Sequence, residues 1–422
     1  MNKIGFFRQM IFKAVQEPKN KKRSAYIWNI FSSTATAGSA PIIIMILVRF
    51  VSVDVAGYYS TSIAVANISY VIVSYYIFNY QITDIRQEYT FKQYLSSKVI
   101  AFPIMILFLI FYVIYSHQNI FVIKILFLQN IYRCIDAICE VYQAQYQQKG
   151  RMDFGCKIGF LRQVIPDIIL ICLVLAKTYI LYALVVSVII KILFVLIVHF
   201  AFNPLLETDS EKKETKPLRS LYISCFPLFF GALLMSYIQS APRLSVATYL
   251  SPIMQTYCSI IFMPALIIHF FCGIIYRPML TPLAMTWMEN KRKEFFDYIY
   301  KILFLCVAFL GICFGAAWFL GIPVLNLIYS VDISSYKLAL LVVIVGGAVN
   351  AASVFLSQVI TIFRKQKVLI FIYLTTAITT VLIMGTFVQR IGLLGAAFGF
   401  LISMFIQFFF MFITICYYRK HI

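Results

Sequence analysis

A chain of 422 residues that is 62% hydrophobic and only 12% charged is no soluble globular domain; it reads as a polytopic membrane protein. Its net charge of +20 is distributed as a topology signal and an attraction to anionic membrane lipids, so nucleic acid is not an expected partner. The ten cysteines form no CxxC or Cys/His metal spacing, and neither a metal nor another cofactor is expected.

Twelve apolar segments follow, at about 26–48, 58–80, 97–115, 120–141, 159–176, 179–202, 220–241, 253–276, 299–320, 336–361, 368–388 and 393–417. The expected fold class is an all-α polytopic membrane protein of about twelve transmembrane helices in two six-helix lobes. An even count puts both termini on one side. The terminus and loops on the Met1 side hold 28 of the 36 basic residues, and the opposite loops hold six, which makes the Met1 side cytoplasmic. Residues 1–25 read as a basic cytoplasmic segment, with an interfacial helix over 3–15 and no cleavable signal peptide. The N-lobe spans 26–202, a charged cytoplasmic linker 203–219, the C-lobe 220–418 and a cytoplasmic tail 419–422.

The fourth segment carries Gln129, Arg133, Asp136, Glu140, Gln143 and Gln147 at spacings of 4, 3, 4, 3 and 4, one stripe on a helix. That stripe is roughly 27 Å long, close to a bilayer core. Charges at this depth face protein or water, not lipid. Two readings follow: a polar cavity wall offering Arg133 to a ligand, or a structural Arg133–Asp136 pair. Segment five contains Pro166 and Asp167, and segment six places Lys191 near its centre. With no acid on its own helix, Lys191 is expected to face a cavity, or else to pair with Asp167. Arg49 and Arg243 end segments one and seven at the outer interface. Segment ten carries a second polar stripe through Asn350, Ser353, Ser357 and Thr361. His269 stands alone in segment eight.

The halves look related. VSVDVAGYYS (51–60) and LSPIMQTYCS (250–259) match at Ser52/Ser251, Tyr58/Tyr257 and Ser60/Ser259, with Thr256 where the repeat has Gly57. The stretches LVRFVSVDVAGYYS (47–60), QKGRMDF (148–154), PRLSVATYLSPIMQTYCS (242–259) and IGLLGAAFG (391–399), in this order within twelve spans, resemble the Wzx-type flippases of the multidrug/oligosaccharidyl-lipid/polysaccharide (MOP) exporter superfamily. The resemblance implies a V-shaped, MATE-like pair of lobes around a central cavity. It implies a transporter of undecaprenyl-pyrophosphate-linked O-antigen or related repeat units, crossing from the cytoplasmic to the periplasmic leaflet of a bacterial inner membrane. It also implies a lipid-linked oligosaccharide as substrate, with a polysaccharide polymerase and a chain-length regulator as partners. A pyrophosphate needs fixed cations in a low-dielectric site, and Arg49, Arg133, Lys191 and Arg243 are the candidates. Gln129, Asp136, Glu140, Asn350 and Ser357 are candidate cavity-lining groups. Asp136, Glu140, Asp167 and His269 are candidates for proton coupling.

Two rivals stand beside this reading. An ion-coupled multidrug extruder of the same superfamily binds cations and needs cavity carboxylates, yet residues 215–288 contain no Asp or Glu. A membrane polymerase or acyltransferase needs catalytic groups on an outer loop, and these loops are short, with no paired carboxylates or Ser/His/Asp grouping. No nucleotide-binding P-loop is present, so direct ATP hydrolysis is not expected, and the chain is read as a transporter, not an enzyme.

Overall fold

The computed structural model describes residues 18, 20–84, 87–116, 118–202, 216–276 and 279–421. The interfacial helix expected over 3–15, and most of the 203–219 linker, lie outside these residues. Within them the chain is helical throughout. Helix α1 spans Lys21–Phe50, α2 Val53–Ser74, α3 Ile77–Thr83, α4 Phe91–Ser116, α5 Ile120–Gln148, α6 Met152–Leu175 and α7 Ile180–Ile197. Then come α8 (Leu218–Tyr249), α9 (Pro252–Tyr276), α10 (Leu280–Met288), α11 (Arg292–Ala316), α12 (Ile322–Tyr329), α13 (Lys337–Ile362) and α14 (Gln366–His421).

Ten of these stretches are long and apolar enough to cross a membrane. Helix α5 is not among them, because Lys124, Arg133, Asp136 and Glu140 make it too charged to qualify by composition alone. Helix α14 contains two crossings. Its backbone breaks at Ile391 (φ −130°, ψ 19°) and Gly392 (φ 61°, ψ −136°), between the eleventh and twelfth segments. Gly392 takes a left-handed backbone, and at Gly395 a Cβ would overlap the Phe387 carbonyl, so the tight turn rests on both glycines. With α5 restored and α14 divided, the twelve expected segments all fall on helices.

Three features depart from the sequence reading. The second segment is broken between α2 and α3, where Tyr75 and Tyr76 both adopt positive φ. The ninth segment continues through a π-turn (Ala317–Gly321) into α12. The short α10 was not anticipated from the apolar runs.

The chain forms two compact units: Met1–Ile46 with Val65–Phe229, and Leu47–Ala64 with Phe230–Ile422. The boundaries therefore fall inside α1, α2 and α8 rather than at the linker. The first unit is built on α5, whose inward face buries Cys134, Ala137, Val141 and Ala144 and packs on α6 and α7. Cys139, Tyr142, Tyr146, Phe154, Ile158 and Val198 form one apolar cluster there. The second unit is centred on α13, which is buried along most of its length against α9 and α14. Small residues permit this approach: a Cβ on Gly347 would meet Ala265 of α9 at 2.6 Å, and one on Gly346 would meet Phe400 of α14 at 2.7 Å.

The stretch Leu47–Ala64 joins the second unit for a definite reason: its repeat partner is there. Gly57 lies so close to Pro252 that a Cβ would overlap the Pro252 carbonyl oxygen, and the reciprocal contact is a hydrogen bond of 2.5 Å from Thr256 Oγ1 to the Val53 carbonyl. Ser60 and Ser259, equivalent by sequence, hydrogen-bond each other, and Thr61 donates to Gln255 at 2.8 Å. The two copies of the repeat thus meet face to face.

Candidate functional site

The polar stripe on α5 enters the first unit and meets cations from two neighbouring helices. Asp136 is buried at its centre. Lys191 Nζ of α7 lies 2.7 Å from Asp136 Oδ1, Arg162 Nε of α6 lies 3.1 Å from the same oxygen, and Arg133 Nη1 lies 3.2 Å from Oδ2. Arg162 also donates to the Asp136 backbone carbonyl at 2.9 Å. Three cations therefore converge on one carboxylate, and three helices are tied at one point.

Around this centre the other acids have their own donors. Glu140, one turn along α5, accepts from the Tyr70 hydroxyl and from Ser74 Oγ. Asp167 accepts from Tyr132 at 2.8 Å and from Gln163 at 2.9 Å. Gln163 reaches Ser39 of α1 as well. Lys191 Nζ also sits 3.2 Å from the centroid of the Tyr132 ring, a cation–π contact. Lys98 of α4 is buried and donates at 2.6 Å to the carbonyl of Ser74, the last residue of α2. That carbonyl is one of those a helix end leaves unmatched.

The inward set thus holds Lys98, Arg133, Arg162 and Lys191 against Asp136, Glu140 and Asp167. Among these residues positive charge is in excess; the unit's other buried carboxylates, Asp84 and Asp153, accept from Tyr94 and pair with Arg151 respectively. Arg133 is the least buried of the three cations on Asp136, with 26% of its side chain exposed against 8% for Arg162 and none for Lys191. Its second nitrogen, Nη2, donates to Asn67 at 2.7 Å, and its guanidinium lies 5.4 Å from the Tyr70 ring centroid. A guanidinium has five N–H donors, so the group is held in place with donors left for another acceptor.

Lys191 differs from expectation. It is fully buried and paired with Asp136, not with Asp167, and opens to no cavity within this unit. The expected Arg133–Asp136 pair is present but belongs to a larger network. Gln129 is buried on the same face.

In the second unit Arg49 is exposed, and its guanidinium donates to the Leu327 carbonyl in the last turn of α12, where unmatched carbonyls favour a cation. Arg243 is half-buried on α8, and among the described residues no carboxylate pairs with it. The segment-ten stripe turns inward on its own helix: Ser353 donates to Val349, Ser357 to Val354 and Thr361 to Ser357. Asn350 is buried beside them, and its Oδ1 has no hydrogen-bond partner. His269 is half-buried on α9, so the four candidates for proton coupling do not form one cluster within either unit: Asp136, Glu140 and Asp167 lie in the first unit and His269 in the second. Among the described residues, no group of three His, Cys, Asp or Glu side chains is arranged to hold a metal ion.

The sequence matches no protein-family model and no curated protein. The structure has clear neighbours. It is similar to an inward-facing multidrug resistance MATE transporter of the MOP superfamily, with TM-score 0.60 and 11% identity over 93% of this chain and 99% of that one. It is similar to the lipid II flippase MurJ in an inward closed conformation, with TM-score 0.61 and 14% identity over 92% and 87%. It is also similar to a MOP superfamily transporter from Pyrococcus furiosus described by the reverse polarity of its binding pocket, with TM-score 0.53 and 11% identity over 95% and 93%. The chain has the fold of the MOP superfamily.

Within this MOP fold, two site residues escaped the sequence reading. Arg162 and Lys98 lie near the ends of apolar segments and were counted as cytoplasmic topology charge, yet both are buried. The signal for Arg162 was available. Gly155, Gly159, Arg162 and Pro166 recur at spacings of 4, 3 and 4 along α6, the same pattern as the α5 stripe, and all four are buried. Lys98 offers no such pattern; its burial follows from the break after Ser74, which the apolar run does not reveal.

Proposed function

We propose that this protein is a MOP-superfamily flippase. It moves an undecaprenyl-pyrophosphate-linked oligosaccharide, such as an O-antigen or related polysaccharide repeat unit, from the cytoplasmic to the periplasmic leaflet of a bacterial inner membrane, with both termini cytoplasmic. The reading rests on one observation above all: Asp136 is surrounded by three cations, so the carboxylate at the centre of the α5 stripe is committed to fixed partners and the charge around it is positive. An anionic head group meets favourable potential at such a site, and a cationic drug meets repulsion. Arg133, held at two of its nitrogens and still part-exposed, is the cation best placed to form planar paired contacts with a phosphate. Arg243 is a second candidate.

The second unit supports the same choice. Of its spanning helices, α8, α9, α13 and α14 carry no Asp or Glu, and α11 carries Glu294 and Asp297 only in its first two turns. The multidrug-extruder alternative is disfavoured because it requires a carboxylate free to receive a cation. Lys191 acts in this account through Asp136, as a positioning residue that fixes the network from which Arg133 projects. A polymerase and a chain-length regulator would act on the product once it reaches the outer leaflet.

Deleting the gene and analysing lipid-linked glycans by mass spectrometry tests this. Accumulation of an undecaprenyl-pyrophosphate oligosaccharide, with loss of the surface polysaccharide, is the expected result. An unchanged glycan profile together with new sensitivity to cationic drugs would favour the extruder.

A further inference from the structure

A second polar site lies in the same unit, and it has a different chemistry. A cavity of about 400 Å³ opens where α1, α3, the end of α5 and the start of α6 meet. Asn29, Ser32, Asn79, Gln143, Gln147 and Phe78 line it, and among the described residues no Lys, Arg, Asp or Glu does. Its volume falls in the range of about 300–1,000 Å³ usual for small-molecule sites. Two glycines of α6 create the space beside Gln143. Gly155 borders the cavity, and a Cβ there would meet the Gln143 carbonyl at 3.0 Å. On Gly159, one turn on, a Cβ would meet Ser32 Oγ at 2.7 Å and both polar atoms of the Gln143 amide at 3.3 Å.

Gln143 is half-buried where it lines the cavity, and its amide lies against the Cys139 thiol, a weak acceptor. Carboxamides offer a donor and an acceptor side by side, which matches neighbouring sugar hydroxyls, and an aromatic ring offers a surface for the C–H face of a pyranose. The described lining offers amides and hydroxyls and no ion partner, a chemistry that suits neutral hydroxyls.

We propose that this cavity is a binding subsite for a neutral, hydroxyl-rich sugar, separate from the cation cluster. Building on the flippase reading, the sugar it takes is a neutral residue of the lipid-linked glycan. Gln143 follows Asp136 by seven residues on α5, about 10 Å along the axis. One element therefore presents a cationic site and, two turns away, an uncharged amide-lined one. A diphosphate joined to a short glycan has the same succession of chemistries.

Saturation-transfer NMR on the purified full-length protein in detergent provides the test, with maltose, lactose and N,N′-diacetylchitobiose as probes. Inorganic pyrophosphate, followed by phosphorus line broadening, serves as a separate arm. At least one neutral disaccharide is expected to receive saturation from the wild-type protein. The signal should fall at least fivefold in Gln143→Leu, fall measurably in Asn79→Ala, and persist in Arg133→Ala. Asn79 is exposed at the rim, so its variant carries the test if Gln143→Leu unfolds, as judged by its melting temperature. No transfer to any of the three sugars, or transfer unchanged in the folded pocket variants, overturns the subsite. Loss of pyrophosphate broadening in Arg133→Ala supports the anion reading, and its absence from the wild-type protein contradicts that reading while leaving the sugar result intact.

Discussion

Lys191 Nζ and Asp136 Oδ1 are 2.7 Å apart, and neither side chain has appreciable contact with solvent. The pair ties α7 to α5, and Arg162 adds α6 to the same oxygen at 3.1 Å. Its two partners are not equivalent. Removing Lys191 leaves Asp136 with two arginines, whereas removing Asp136 leaves three cations around no carboxylate. Stripping a buried charge of its partner costs on the order of 3–5 kcal/mol. Asp136→Ala is therefore expected to lower the melting temperature and membrane abundance more than Lys191→Met, whose apolar side chain fills similar volume. Equal stability of the two variants in detergent melting curves would contradict the arrangement.

Arg133 separates binding from scaffolding. Because Asp136 keeps Arg162 and Lys191, Arg133→Ala should insert at near-normal abundance and lose at least tenfold in glycan export. Arg133→Lys should retain part of the activity, since it keeps the charge but not the planar fork. An isolated i,i+3 pair would be rescued by Arg133→Ala/Asp136→Ala. Here the double variant leaves Arg162 and Lys191 facing each other, so it should be less stable than Arg133→Ala alone. Export assays with immunoblots of membrane fractions separate these outcomes; a fully active Arg133→Ala removes the residue from the site.

The repeat interface makes a prediction of its own. Gly57 has no room for a Cβ against the Pro252 carbonyl, so Gly57→Val should force α2 from α9 and cost several kcal/mol, on the scale of about 1–3 for overpacking and more where backbone is the obstacle. Thr256→Val should cost only about 1 kcal/mol, from loss of its hydrogen bond to Val53. Thermal unfolding in detergent should rank Gly57→Val well below Thr256→Val, and equal effects would show that the close approach is not needed.

Much of the architecture was legible from spacing. The α5 stripe named the helix that organises the first unit, because charged residues at 4, 3, 4, 3, 4 intervals in an apolar segment must face inward. The 51–60 and 250–259 repeat named two stretches that meet face to face, although the sequence could not say that they touch. Thr256 was a departure from the glycine pattern, and its hydroxyl turns out to occupy the reciprocal contact. Partner choice was not legible. Lys191 meets Asp136 rather than Asp167 through the rotation of α7 against α5 and α6, a tertiary property that no single helix encodes. Arg162 and Lys98 were hidden by their position near segment ends, where a basic residue ordinarily faces headgroups. Arg49 sits where a helix end supplies carbonyls, and only the fold reveals that end.

On the proposed function, the substrate is an anionic lipid-linked glycan moved past a fixed cationic cluster. Reconstitution addresses it directly: proteoliposomes loaded with undecaprenyl-pyrophosphate oligosaccharide, probed by the fraction open to an impermeant glycosidase, alongside a parallel assay of cationic dye transport. Wild-type protein should make the inner-leaflet glycan accessible well above empty liposomes, Arg133→Ala should not, and the dye should stay where it was loaded. Dye transport without any change in glycan accessibility would contradict the account.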